Sequence, residues 1–391
     1  MTDWFQARVR AHEVGAGHVR RTESLAIADA TGRTLARDLL SIVPLPSHSS
    51  SAMDGWAVAG DPPWLVGPQI RAGDTPQADP LASGTARPIA TGGPVPPGTW
   101  GVLRSEHGEK RDGLLRPNDL ARVGEPRAGE HVRVLGEEIG VGEVLLTAGS
   151  RLTAPRLALA AASGHDAVEV AEVPTVDVVL FGSEIVGSGI PQPGGVRDAY
   201  SPQLPALLAS MGLRLGLLRR EPDYLETTVA AIRSSSAPLL ISTGGTASGP
   251  TDHVRAALQA LGAELAIDGV DMRPGHPVML ARLPVERSML CLPGNPFAAM
   301  MVLATIGVAL VDGMMGRPLS SLGHAPLAAD IANAGKSTRL VAFRWTDDGA
   351  VPTDHQGTGM LRGIADANGV AVIPPGGADA GQLVRTVPLP W

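Results

Sequence analysis

The chain is poor in several things, and each shortage excludes something. A single cysteine, Cys291, in 391 residues rules out an intramolecular disulfide and any metal site of clustered thiolates. It lies in the apolar run Ser288-Met289-Leu290-Cys291-Leu292 and reads as a small buried hydrophobe. Aromatic residues make up only 3%, so the core must be mainly Val, Leu, Ile and Ala. Charged residues are 18% and net charge is −7, which argues against non-specific nucleic-acid binding. No apolar run reaches the roughly 20 residues that span a bilayer. The start, Met1-Thr2-Asp3-Trp4-Phe5, lacks the basic-then-apolar order of a secretory signal. The expectation is a cytoplasmic protein with no membrane and no nucleic-acid partner. What is plentiful is glycine (48) and proline (34), hence many turns and short elements. Hydrophobic residues at 44% supply ample core for the two to four domains this length suggests.

One stretch organises the rest: Leu239-Leu240-Ile241-Ser242-Thr243-Gly244-Gly245-Thr246-Ala247-Ser248-Gly249-Pro250-Thr251-Asp252-His253-Val254. After Pro238 it opens on a short apolar run of the kind a buried parallel strand uses. Two glycines and small hydroxylated residues follow. From Thr251 the pattern is helical, with Val254, Ala257, Leu258 and Leu261 on one face and Gly262 as a stop. A strand that breaks into a glycine turn and enters a helix presents N–H groups to an anion. Ser242, Thr243, Thr246 and Ser248 add hydroxyl donors. Asp252, in the first helical turn, can cap the helix or hold a cation beside a phosphate. There is no G-x-x-x-x-G-K-[ST] pattern, so this is not a P-loop.

Residues 5 to 40 read as helical. Then Val43-Pro44-Leu45-Pro46 leads through Ser49-Ser50-Ser51-Ala52-Met53-Asp54-Gly55, a polar turn with one acid, into a strand at Trp56. From about 56 to 146 short β segments dominate, with the rigid loop Thr91-Gly92-Gly93-Pro94 and the paired acids Glu137 and Glu138. A helix is expected over 154–162, with Thr153 as cap and Pro155 in its first turn. Pro174 opens an α/β alternation: strand 176–181 ending at Gly182-Ser183-Glu184-Ile185, helix 202–211, strand 213–218, helix 223–233, then the focal strand. That order argues a doubly wound sheet, whose ligands bind beyond the carboxyl ends of strands. Glu184, Asp198, Glu221 and Asp252 fall near such ends and fit a phosphate-plus-magnesium site. Two further rigid loops, Asp271-Met272-Arg273-Pro274-Gly275-His276-Pro277 and Leu292-Pro293-Gly294-Asn295-Pro296, flank the last strands. Arg273 can pair bidentately with phosphate. Asn295 can read a polar heterocycle edge or cap a helix over 297–311. From about 319 a β-type segment contains Arg339, Arg344 and His355-Gln356-Gly357-Thr358-Gly359.

Pro44-Leu45-Pro46 with Ser51-Ala52-Met53-Asp54-Gly55-Trp56-Ala57-Val58 resembles the P-L-P…S-A-M-D-G-[YW]-A-V signature of the molybdopterin molybdenumtransferase family, to which the gephyrin E domain is similar. Thr91-Gly92-Gly93-Pro94, Gly136-Glu137-Glu138-Ile139, Gly244-Gly245 through Asp252, Arg273-Pro274-Gly275 and Leu292-Pro293-Gly294-Asn295-Pro296 follow in the family order. The resemblance implies a multidomain α/β protein with four domains. These are a helical N-terminal and dimerisation domain (1–43 with 147–173), an inserted β domain (44–146), a doubly wound molybdopterin-binding α/β domain (174–318) and a C-terminal β domain (319–391). It implies molybdate insertion into adenylylated molybdopterin with release of AMP, magnesium as cofactor, a homodimer, and other molybdenum-cofactor enzymes as further partners. On the matching positions, Asp54, Glu184, Asp252 and Arg273 would be catalytic. Asp54, Glu138, Glu184, Glu221 and Asp252 would hold the metal, Asp54 reaching across from the partner subunit. Thr91, Asp198, Gly244, Gly245, Thr246, Ser248, Pro274, Gly275, His276, Pro293, Gly294, Asn295, Pro296 and Arg344 would bind the pterin. The sequence also departs from the family pattern. Ser183 stands for an aspartate, Gly269 and His276 for lysines, Arg273 for a lysine and Ala298 for a serine. A degenerate relative that binds pterin or a protein partner without transferring molybdenum is therefore the second expectation. Nucleotide-pyrophosphate hydrolysis is a third reading, but it leaves the β-domain motifs unexplained.

Overall fold

The computed structural model describes residues 2–246 and 253–391. Asp3 starts helix α1 (Trp4–Ala16), its carboxylate accepting from the Phe5 and Gln6 N–H groups at 2.8 and 3.2 Å. The helix ends at Gly17, so the expected helical reading of 5–40 is corrected beyond that point. Thr22–Ala26 is a strand paired antiparallel with Ala167–Ala171, and Leu39–Leu40 pairs with Val144–Leu146. In the fold, residues 22–26 alternate between exposed and half-buried, the period of a strand and not of a helix. These pieces and helix α2 (Ala154–Ala162) enclose a small core of Leu35, Leu152, Leu157, Ala160, Val168 and Val170. Between them, six strands form a sheet in the order Gly101–Arg104, Gly55–Ala59, Thr85–Ile89, Trp64–Val66, Leu114–Pro117, Gly108–Arg111. Trp64, Leu103 and Leu115 fill one face of it.

The α/β sheet has six strands, ordered Arg214–Glu221, Thr175–Phe181, Leu239–Thr243, Arg287–Leu292, Met279–Leu283, Glu264–Asp268. The first four run parallel, Met279–Leu283 runs antiparallel to them, and Glu264–Asp268 pairs antiparallel with that strand. Helices α3 (Leu204–Met211), α4 (Leu225–Ser234) and α5 (Val254–Ala260) cover it, with α6 (Pro296–Val302) and α7 (Val308–Met314) joined by a π-turn at 303–307. Two separate cores form, one on each face, as a doubly wound sheet requires. Strand residues 176–180 are wholly buried, Asp177 included. That acid accepts from Leu217 N–H at 2.8 Å and Ser235 Oγ–H at 2.7 Å, which satisfies it. The continuous helical run Pro296–Met314 is, at 19 residues, long and apolar enough to cross a membrane, against the expectation of no such run, but 94% of its most apolar window is buried inside the protein. It is the central helix of the core.

Helix α1 leaves the small N-terminal unit and docks on this domain. Trp4, Ala7, Ala11 and Val14 share the core with α7. Two glycines permit the contact: a Cβ on Gly15 would lie 2.0 Å from Leu310 O, and one on Gly313 would lie 2.1 Å from His12 O. The third large sheet joins Thr2–Asp3, Val270–Arg273, Thr338–Thr346, Gly369–Ile373, Leu383–Pro388 and Gly323–Pro326 in that order. It thus takes one strand from the N-terminus and one from within the α/β segment. Along the parallel pair, Arg273 stands opposite Arg339.

Candidate active site

At the carboxyl ends of the central strands the backbone turns where only glycine fits. Gly244 and Gly245 have φ of +81° and +65°. A Cβ on the first would meet Phe181 O at 2.7 Å, and on the second Val254 Cγ2 at 2.8 Å. The turn opens onto a cleft of about 290 Å³, lined by Glu184, Asp198, Tyr200, Asp223, Gly244 and Gly245 among others. Thr246 is buried behind it. Glu221 is not in the lining. Asp223, two residues on, takes that place, and no motif in the sequence singles it out. Ser248 and Asp252 lie outside the described residues.

Asp198 is buried and saturated. Its Oδ1 accepts from the N–H groups of Tyr200 and Ser201 at 2.8 and 2.9 Å. Its Oδ2 accepts from Ser201 Oγ–H at 2.5 Å and from Arg220 Nε and Nη2 at 2.8 and 2.5 Å. Burial pushes its pKa up, but the Ser201 hydroxyl and N–H, then Arg220 and the Tyr200 N–H, outweigh that and hold it below the usual carboxylate range. Such a carboxylate organises the wall and has no lone pair to spare for a cation. It also orients Tyr200, whose hydroxyl donates to Gly294 O at 3.1 Å and Pro293 O at 3.3 Å. Because the pKa is depressed in the folded state, the stability Asp198 contributes is present above its unfolded pKa of about 3.9 and lost as pH falls through the folded value. Asp198→Asn is expected to melt earlier than the parent at pH 7, with the gap closing below about pH 4; paired melting curves across pH check it.

The loop 292–296 separates this cleft from a second cavity of about 530 Å³. Gly294 and Pro296 face the first, Pro293 and Asn295 the second. Asn295 occupies the cap position of α6 without using its side chain as a cap, which leaves its amide for a ligand. Arg273, Pro274, Gly275, His276, Arg339 and Thr358 line the same cavity. His276 Nδ1–H donates to Val270 O at 2.8 Å, so the neutral ring keeps Nε2 as an acceptor. The Arg273 side chain is exposed on its strand, while Arg339 donates to Ala332 O at 2.5 Å. Two guanidinium groups on paired residues of neighbouring strands make an oxyanion-binding wall. Arg344 is not part of it. An odd spacing of five from Arg339 along the strand sends it to the other face. The segment 355–359 is held against the site: Thr358 O accepts from Ala298 N–H at 3.2 Å, and Gln356 bonds both Ala342 and Thr353.

Asp54 sits elsewhere, on the inserted β sheet. Its Oδ1 accepts from Thr91 N–H at 2.6 Å and Thr91 Oγ–H at 2.9 Å. Those bonds, the backbone one first, hold its pKa below the ordinary range although the group is fully exposed. Gly92 N–H donates to Ser51 O at 2.8 Å and Ser51 N–H to Gly93 O at 2.9 Å, so the two sequence motifs form one rigid unit that presents a charged carboxylate. Glu138 is exposed on the same unit, with its N–H bonded to Leu45 O at 3.0 Å. Neither residue lines the two cavities. Among the described residues no three His, Cys, Asp or Glu side chains are gathered in a metal-holding group. Of the expected magnesium set of Asp54, Glu138, Glu184, Glu221 and Asp252, the last lies outside the described residues, Glu184 lines the cleft, and Asp54 and Glu138 belong to turns of the inserted β domain.

Comparison with known proteins gives a consistent placement. Residues 5–164 match the MoeA N-terminal region (domain I and II), residues 177–312 a probable molybdopterin binding domain, and residues 324–389 the MoeA C-terminal region (domain IV). The molybdopterin molybdenumtransferase of a Nostoc species is 30% identical over 94% of this chain and 89% of its own. That of Synechococcus elongatus is 28% identical over 90% and 91%. The crystal structure of a molybdopterin biosynthesis MoeA protein from Pyrococcus horikoshii OT3 has the same fold, with a TM-score of 0.79 at 20% identity, covering 99% of this chain and all 100% of that one. The chain belongs to the molybdopterin molybdenumtransferase family.

Proposed function

We propose that this chain inserts molybdenum from molybdate into adenylylated molybdopterin, releasing AMP, as a step of molybdenum-cofactor biosynthesis in the cytoplasm. The observation that carries the reading is the pair of cavities sharing the 292–296 wall. One is a glycine-turn cleft suited to a phosphate; the other has Arg273 and Arg339 side by side, suited to an oxyanion. A ligand with a phosphate end and a reacting dithiolene end can occupy both, its pterin edge read by Asn295. Gly244 and Gly245 let the backbone approach the phosphate, Tyr200 holds the dividing loop in place, and the guanidinium groups bind the molybdate oxygens. Reconstitution with adenylylated molybdopterin, molybdate and magnesium should release AMP above a protein-free control. Tight pterin binding with no release would instead favour the non-transferring reading.

The magnesium and the homodimer belong together in this proposal. The acids fit the cation only as a set shared between copies, Glu184 from one and Asp54 from the other. Mixing Asp54→Asn with Glu184→Gln, each inactive alone, is expected to restore about one quarter of wild-type turnover after subunit exchange, the statistical yield of one intact site per heterodimer. No recovery after verified exchange would place both residues in one chain's site.

A further inference from the structure

A cavity larger than either of those two lies elsewhere in the molecule. It measures about 730 Å³ and lies where three parts of the chain meet: the 147–156 segment of the small N-terminal unit, the ends of α3 and α7, and the 317–321 and 388–390 segments around the C-terminal sheet. Its charged lining is lopsided. Arg151, Arg156 and Arg317 face it with Asp312 as the one acid.

That acid is already engaged. Asp312 is almost wholly buried, accepts from Ser320 Oγ–H at 2.5 Å and lies 3.6 Å from Arg317. It also faces Arg8, a buried arginine whose Nη2 donates to Ser320 O at 2.7 Å. The other carboxylate near the rim, Asp38, is taken up by Ala148 N–H at 2.7 Å. Arg317 is fixed by Thr34 Oγ1 at 2.8 Å and Met211 O at 3.2 Å. Arg156 spends one nitrogen on Arg151 O at 2.7 Å. The Arg151 guanidinium has no hydrogen-bond acceptor among the described residues. Burial first, and then the charge of Arg151, push the Arg317 pKa down against the pull of Asp312. Like charges are thus brought together around an open space whose one lining acid among the described residues, Asp312, is already committed, an arrangement that an anion relieves. The hydroxyls of Ser150 and Ser321 line the same space.

We infer that this cavity binds a small multivalent oxyanion, phosphate-bearing or polycarboxylate, at a site separate from the pterin cleft. Arg151 and Arg156 grip it from the N-terminal unit and Arg317 from the α/β domain, so the ligand bridges the two. The inference does not depend on molybdenum transfer. It is tested by calorimetric titration of inorganic pyrophosphate into the full chain carrying Arg273→Gln, which weakens binding in the second cavity; any binding in the glycine-turn cleft is the part that replacing Arg151 and Arg156 leaves unchanged. Saturable binding is expected, and adding Arg151→Gln with Arg156→Gln should weaken it at least about tenfold. Both side chains are exposed, so the fold should persist, and an unchanged melting temperature without ligand verifies it. Competition by citrate would show that carboxylates serve as well; failure to compete would restrict the site to phosphates. No saturable heat, or equal affinity once Arg151 and Arg156 are replaced, overturns the inference.

Discussion

Arg273→Gln is expected to lower kcat/KM for AMP release at least about a hundredfold, the usual cost of removing one charge-stabilising donor from a preorganised site. The melting temperature should barely move, because the side chain is exposed and holds nothing else in place. Arg273→Lys keeps the charge and loses the planar fork, so it should recover part of the activity but not all. Arg344→Gln is the internal control. It removes the same charge from the neighbouring strand, outside the cavity, and should stay within about twofold of wild type, as an uncoupled surface change does. Equal losses at 273 and 344 would mean that general positive potential matters and the paired arrangement with Arg339 does not.

Gly313→Ala is expected to be strongly destabilising, because it forces a methyl group into the contact between α1 and α7. The new Cβ would stand 2.1 Å from His12 O and 2.7 Å from Ala16 N. Both are backbone atoms, so no side-chain rotation relieves the clash and α1 must move off α7. Overpacking of this kind costs about 1–3 kcal/mol, and a clash with backbone belongs at the upper end, read as a lower urea midpoint with unchanged slope. Gly17→Ala tests whether the cause is the contact. At the end of the same helix its Cβ would meet Val14 O at 3.4 Å, and it should be nearly neutral. If both variants unfold alike, the glycines matter for the backbone of α1 and not for its docking.

Part of this architecture is legible in the order of the residues alone. A βαβ order with glycines after an apolar run is a local pattern, and local patterns survive folding. So the Gly244-Gly245 turn, the 292–296 loop and Arg273 can be found by reading. The motifs holding Asp54 and Thr91 can be picked out by their family order, but the hydrogen bonds that join the two residues cannot. What cannot be read depends on register and on long-range contact. Arg339 and Arg344 sit on one strand, and only the pairing of Met272 with Thr338 decides which shares a cavity with Arg273. Tyr200 matters because its hydroxyl finds carbonyls 93 and 94 residues away. Glu221 and Asp223 differ in which way the chain leaves a strand. The helical reading of 5–40 fails for a related reason, since Thr22–Ala26 becomes a strand only once Ala167–Ala171 is there to pair with it.

The docking of α1 on α7 has a consequence for how the protein is made. Helix α1 leaves the ribosome well before α7 and carries Trp4, Ala7, Ala11 and Val14 on one face, and the surface that covers them is encoded near residue 310. At roughly 5–20 residues per second, translation of the intervening chain takes on the order of 15–60 s. Throughout that interval an apolar stripe headed by a tryptophan travels unaccompanied on the nascent polypeptide. Until α7 emerges, this segment is a natural recruiting point for a general chaperone that binds exposed apolar stretches during synthesis.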